Sequence, residues 1–282
     1  MAISIVTNVP SINAQNQLNK TQTALSKSLG RLSSGLRINK AADDAAGLAI
    51  SEKLKSQIRS MRQAERNAMD AISLLQTAEG AMGEVSSILT RMRELSIQAA
   101  NDTVGSVERG FINQEVSALR DEINRLAEVS EFNGRALIDG TATGFVFQVG
   151  IQNTTNDRIT VAIADMHASQ LGAATVSGGV GTLNVTTITG AQAALAVLDE
   201  AISDVSSGRA DLGSVQNRME VTIANLQTSR ENLSEANSRI RDTDVAAETS
   251  ALTKSNILMQ AGTSVLAQAN QAPQIALSLL GG

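Results

Sequence analysis

The sequence predicts a mainly α protein: a long antiparallel helical rod or coiled-coil bundle with a small β-hairpin-rich insertion at its centre. Three observations predict it. First, alternating three- and four-residue steps from Leu195 to Ile240 reach fourteen positions, of which ten are apolar, Leu195, Leu198, Ile202, Val205, Leu212, Met219, Ile223, Leu226, Leu233 and Ile240; Arg209, Gln216, Arg230 and Asn237 fill the others, and no proline interrupts the run. That spacing averages about 3.5 residues and keeps one seam of a helix turned toward a partner. At about 1.5 Å per residue the helix is roughly 70 Å long, so it needs a helix of similar length to cover its seam. Second, Leu54, Ile58, Met61, Ala68, Ile72, Leu75, Met82, Val85, Leu89, Met92 and Leu95 mark such a helix. Third, the two prolines, Pro10 and Pro273, stand near the ends and leave everything between them free to be helical.

Taken in order, residues 1–11 hold Ile3, Ile5, Val9 and Pro10, a short extended or irregular lead. From Ser11 the pattern is helical, with Leu18, Leu25, Leu29, Leu32 and Leu36 on the three-four grid and an amide-rich remainder. Gly35 and the run Ala41-Ala42-Asp43-Asp44-Ala45-Ala46-Gly47 mark a joint before the long helix. Asn101 to Ser106 is a turn, after which Ile112, Val116, Leu119, Ile123 and Leu126 define a shorter helix folding back along the first.

Composition changes at Phe132. Asn133-Gly134 and Asp139-Gly140 are turn dipeptides. Residues 141–190 hold seven glycines and only three charged side chains, Asp157, Arg158 and Asp165. The alternating runs from Phe145 to Val149 and Arg158 to Ile163 read as β-hairpins. Beyond the second long helix, Val245 to Ala272 carries a thin stripe of Leu252, Met259, Leu266 and Ala269, and Ile275, Leu277, Leu279 and Leu280 form a last apolar patch.

If the two long helices are antiparallel, Leu95 lies near Leu195 and Leu54 near Ile240. Both chain ends then emerge at the same pole, with segments 12–36 and 246–272 side by side. Two narrow stripes paired with each other still leave surface uncovered, so these tails are expected to be mobile in a single molecule and ordered by neighbouring copies.

The chain has 282 residues, enough for one large domain or two to three smaller ones. Aromatics are 1 % of it, so the core is built from small aliphatic side chains that suit close helix packing better than a wide ligand cavity. A net charge of -5, with the signs interspersed, gives no basic face for nucleic acid. No cysteine is present, which excludes disulfides, thiolate metal sites and Cys nucleophiles. No run of about twenty apolar residues predicts a membrane span. The first charge is Lys20, so no cleaved signal peptide is expected.

Few residues invite a chemical reading. Asp43-Asp44 are neighbours that do not face each other on a helix, and a capping or joint role fits them better than a metal or acid pair. His167 is the sole histidine and has no patterned carboxylates beside it, so it reads as a loop residue. Ser177-Gly178-Gly179-Val180-Gly181 lacks the Lys and Ser or Thr of a phosphate loop and reads as a turn or flexible tip. The Thr and Ser residues of 141–190 are β-formers and turn residues, or acceptors of sugars. No catalytic residue, metal site or cofactor is expected, and an enzyme is the class least compatible with this composition.

The run Ser33-Ser34-Gly35-Leu36-Arg37-Ile38-Asn39-Lys40-Ala41-Ala42-Asp43-Asp44-Ala45-Ala46-Gly47-Leu48-Ala49-Ile50 resembles the N-terminal signature of bacterial flagellin. Ala14 to Leu18, Arg91 to Asn101, Phe132-Asn133-Gly134 and Asn256 to Gln271 are also similar to that family. The likeness covers roughly residues 1–140 and 190–282, and about fifty residues stand where larger flagellins carry variable outer domains. The resemblance implies a filament subunit serving motility and exported without a cleaved signal peptide through the flagellar type III apparatus to the extracellular flagellum. It implies an inner-tube domain of paired terminal helices (1–40 and 245–282), disordered in the monomer. It further implies a long-helix domain (41–140 and 190–244) and a small variable insertion (141–189).

On that resemblance Leu18, Leu25, Leu29, Leu32, Leu36, Leu252, Met259 and Leu266 are the terminal assembly positions. Leu54, Ile58, Ile72, Leu75, Leu89, Leu198, Ile202, Leu212, Met219, Ile223, Leu226 and Leu233 form the rod core. The implied partners are further copies in a helical homopolymer, an export chaperone, the cap protein and the hook-associated junction protein. The family's contact motif for the animal innate-immune flagellin receptor matches Thr90 to Gln98, with Arg91 and Leu95 on one helix face and Glu115 on the next helix. Read without the family, Arg91 and Arg93 are a charged, solvated helix face. The competing readings are a hook–filament junction protein and, from another class, an intracellular coiled-coil adaptor.

Overall fold

In the computed structural model of the protein, residues 7–141 and 144–280 are described, the side chains of 272–280 excepted. The lead at 1–6 and the side chains of the Ile275 to Leu280 patch therefore lie outside the described residues. Five long helices dominate: α1 (Val9–Ser34), α2 (Ala45–Ala99), α3 (Ser106–Val129), α4 (Ile188–Arg241) and α5 (Val245–Leu280). Between α3 and α4 lie β1 (Glu131–Phe132), β2 (Arg135–Ala136), β3 (Phe145–Gln148) and β4 (Arg158–Val161).

The helix ends follow from local chemistry. Asn8 caps α1 by accepting from the Ser11 amide, and Pro10 occupies the first turn, where its missing N–H costs nothing. Gly35 ends α1 in the left-handed region at φ 70°. The helix thus stops two residues before Leu36, which instead forms an isolated bridge with Asp242. Asp44 caps α2 through the Gly47 amide, Thr187 caps α4 through the Gly190 amide, and Asp244 caps α5 through the amides of Ala246 and Ala247.

The residues group into two compact units: Met1–Ile58 with Glu231–Gly282, and Arg59–Arg230. In the second unit α2 and α4 run antiparallel. Arg93 pairs with Asp199, Arg209 with Glu79 and Arg230 with Glu65, so residue numbers facing each other add to about 290. Leu95 and Leu195 fall in this register.

The seam between these helices is narrower than a count of large apolar residues suggests. On α2 the seam is the line of buried positions Ala64, Ala68, Ala71, Leu75, Ala78, Met82, Val85, Leu89, Met92, Ser96 and Ala99, an unbroken three-four alternation, and Leu74 and Leu95 are buried beside it. On α4 the seam positions are Ala191, Ala194, Leu198, Ala201, Val205, Leu212, Val215, Met219 and Leu226. Small residues recur along both seams, Ala64, Ala68, Ala71 and Ala78 on α2 and Ala191, Ala194 and Ala201 on α4, and let the backbones approach closely; Gly208 continues the pattern with its bare Cα facing Met82 and Met166. Ile72, Ile202 and Ile223 flank the seam and are only half-buried, whereas Leu75, Leu89, Leu198, Leu212, Met219 and Leu226 lie within it; Leu54, Ile58 and Leu233, in the first unit, are half-buried. One acid interrupts the α2 seam: Glu65, 8 % exposed, accepts from Arg230 and Gln227.

Asn133 at φ 51° and Gly134 at φ 74° make the two-residue turn that joins β1 to β2, as their sequence demands. β3 and β4 pair antiparallel with each other, Phe145 opposite Val161 and Gln148 opposite Arg158, so the two alternating runs form one sheet of two strands. The following stretch adds no strand. Instead of a free tip, Ser177 to Gly181 folds onto the core, with Val180 fully buried and its amide donating to the Leu171 carbonyl.

Candidate assembly surfaces

Helix faces carry the candidate surfaces, and among the described residues no cluster of three or more His, Asp or Glu could hold a metal ion. The sole histidine, His167, is half-buried in a turn, with Nδ1 2.6 Å from the Asp165 carboxylate. No second base or nucleophile accompanies it among the described contacts.

Within the first unit α1 and α5 pack along each other. The Asn8 amide side chain donates to the Ala269 carbonyl, Ser11 hydrogen-bonds Asn270, and Arg31 pairs with Glu248. A Cβ added at Gly262 would stand 3.0 Å from Leu18 Cδ1. Facing numbers add to about 280, so the helices are antiparallel. In this register Leu18 and Leu25 of α1 meet Gly262 and Ser255, while Thr21 and Ser28 meet Met259 and Leu252. Large residues on one helix thus fit small ones on the other. Thr21 and Ser28, buried at 8 % and 6 %, do not stand out in an apolar pattern, yet they complete its three-four spacing.

The pairing covers one stripe only. Leu25 is buried, and Leu18, Leu32, Leu36, Leu252, Met259 and Leu266 are half-buried. Leu29 is 51 % exposed, and Val9, Ile12, Val245, Ile257, Leu258 and Val265 are exposed to a similar extent. A single copy therefore leaves oily side chains along both helices in water.

The segment between α1 and α2 is pinned by charge. Asp43 accepts from Lys27 Nζ at 3.0 Å and from the backbone amides of Lys40 and Asn39. The Lys27 bond, followed by the Lys40 amide, holds its carboxyl below the usual carboxylate range. On the other side of the joint Arg37 donates to the carbonyls of Arg239 and Ile240, and the Thr243 amide donates to the Gly35 carbonyl.

In the second unit Arg91 and Glu115 come together as an exposed pair, Nη2 to Oε1 2.8 Å, and Glu94 also accepts from Arg91. Glu115, then Glu94, raises the guanidinium above its ordinary value. Leu95 differs from the expectation of a common face with Arg91: it is 2 % exposed and part of the core, because the bundle closes over that side of α2.

The family profile for the bacterial flagellin N-terminal helical region matches residues 5–143, and that for the C-terminal helical region matches residues 195–280. The chain is 47 % identical to a flagellin of Bacillus subtilis, over 97 % of this chain and 98 % of the relative. It is 44 % identical to a flagellin of Halalkalibacterium halodurans over the same shares. Among solved structures it is similar to a Bacillus cereus flagellin at 32 % identity and a TM-score of 0.49, over 57 % of this chain and 88 % of the other.

Proposed function

The chain belongs to the bacterial flagellin family, and from that premise we propose how it acts: the α1–α5 pair is the device by which this subunit of the extracellular flagellar filament joins its neighbours. As a member of that family it is a structural protein, not an enzyme. The observation that carries the proposal is the row of exposed apolar side chains left on α1 and α5 after they have packed on each other. These side chains are already about half covered, so each gains on the order of 1 kcal/mol when neighbours close over the rest. Neighbouring copies supply the cover, so ordering of the tails and assembly are one event. A head-to-tail contact that does not close on itself then yields a helical polymer, which serves motility.

The flagellar type III apparatus exports the chain, with an export chaperone, the cap protein and the hook-associated junction protein as partners. The test is removal of residues 1–35 or 248–282. Neither product should form filaments when seeded, as read by electron microscopy, and filaments from either would overturn the proposal. A junction protein or an intracellular coiled-coil adaptor, the competing readings, would instead stay a stable dimer or a few-copy component.

A second activity rests on the exposed Arg91–Glu115 pair. It presents a fixed charge pattern to the animal innate-immune flagellin receptor, with Leu95 supporting α2 from inside. Arg91→Ala should lower receptor activation by the monomer about tenfold, the scale of one lost charge-assisted contact. Unchanged activation would remove this reading and leave the filament reading intact.

A further inference from the structure

We infer that an apolar ridge at the start of α3 docks into a groove on α4 of a second copy. The inference rests on the filament reading and names one contact that would build it. Three of the four phenylalanines, Phe132, Phe145 and Phe147, sit in the core or against it. The fourth, Phe111, is 65 % exposed, one helical turn from Val107 at 64 %. Among the described residues nothing covers the ridge, and Glu108, exposed on the same turn, flanks it with negative charge.

The groove lies between the connection from β3 to β4 and the α4 stretch Asn217 to Thr222, with a volume of about 750 Å³. Val149 and Ile159 are buried beside it, while Val221 stands 71 % exposed within it. Arg218 lines it, and its guanidinium has no partner among the described residues. The ridge meets the exposed Val221, and its acid flank meets Arg218 in a groove whose remaining lining is mostly polar and sets one acid, Asp157, against a second arginine, Arg158.

Position makes the match one between copies. The Arg91–Glu115 pair sets the start of α3 level with the end of α2, and the α2–α4 register sets Val221 level with about residue 70 of α2. The two surfaces are separated by more than twenty helical residues, roughly 35 Å along the bundle. One copy therefore offers its ridge to one neighbour and its groove to another, a heterologous contact that propagates.

The chain has no cysteine, so a disulfide can report the contact directly. In filaments grown from equal amounts of Phe111→Cys and Val221→Cys chains, mild oxidation with diamide should give dimers joining the two variants, and filaments of the double variant should give a ladder of multimers. A Phe111→Cys chain that links to itself, or filaments of the double variant that form and stay unlinked, would overturn the inference while leaving the filament reading in place. A second measurement avoids cysteine. Glu108→Arg and Arg218→Glu should each raise the concentration needed for assembly by about tenfold, and the two together should restore it. Dilute variants with unchanged circular dichroism but no such rescue would also overturn it. Absence of filaments from the unaltered chain would instead count against the filament reading itself.

Discussion

The guanidinium of Arg37 lies 2.6 Å from the carbonyl of Ile240, so a charge from the joint after α1 closes the C-terminal end of α4. The last carbonyls of a helix lack intrahelical donors and carry its negative dipole end, which makes a guanidinium a favourable cap. Removing it by Arg37→Ala should cost about 1 kcal/mol. Amide exchange at Ser238 to Asp242 should speed up several-fold, with little change in α3. Unchanged exchange there would mean that the bridge between Leu36 and Asp242 holds the joint without the arginine.

The joint is also sensitive to acid. Because the carboxyl of Asp43 titrates below its unfolded value, its contribution is present above that unfolded value and is lost as pH falls through the lowered one. The amides of Asn39 and Lys40 should lose exchange protection below about pH 4, where unperturbed aspartate protonates. In Asp43→Asn the same amides should show no acid step. A step that persists in the variant would assign it to another carboxylate.

Two glycines in the second unit should respond in opposite directions to alanine. At Gly208 an added Cβ meets only the flexible tips of Met166 and Met82, at 3.4 and 3.5 Å, and helix propensity favours alanine by about 1 kcal/mol. Gly208→Ala should therefore raise the unfolding midpoint. Gly172, at φ 68°, has the Val197 carbonyl oxygen 2.5 Å from where a Cβ would lie, so Gly172→Ala should lower stability by more than about 1 kcal/mol. Urea unfolding of the two variants decides both signs.

The same reasoning shows what the sequence disclosed and what it hid. Helix number, antiparallel register, the Asn133-Gly134 turn and the strand character of the Phe145 and Arg158 runs follow from spacing and turn chemistry that large side chains and glycines make visible, whereas the pairing of Phe145 with Val161 does not. The seam itself was half hidden. A grid drawn through Leu195, Ile202, Arg209 and Gln216 runs one residue beside the true line through Ala194, Ala201, Gly208 and Val215, because close helix approach selects small residues that an apolar count passes over. Thr21 and Ser28 were hidden on α1 for the same reason. The Arg91–Glu115 pair rested on resemblance, since spacing within one helix does not show what a second helix brings beside it, and burial of Leu95 shows that i and i+4 positions need not share an exposed face.

The fit of large against small on α1 and α5 gives a further test. Gly262→Val places methyl groups where Leu18 already stands 3.0 Å from a bare Cβ position, so it should separate the pair locally. Filament assembly should fail or require about tenfold more protein, while the unfolding of residues 59–230 stays unchanged. Leu18→Ala in the same chain should recover part of the loss by returning the space.

The most direct measurement is hydrogen exchange across α1 and α5 in the dilute chain and in the filament. The account predicts amides of residues 12–34 and 246–270 that exchange fast in the dilute chain and at least about a hundredfold more slowly in the filament, a coupling of nearly 3 kcal/mol. Slow, cooperative protection of both helices in the isolated molecule, unchanged on assembly, would contradict it.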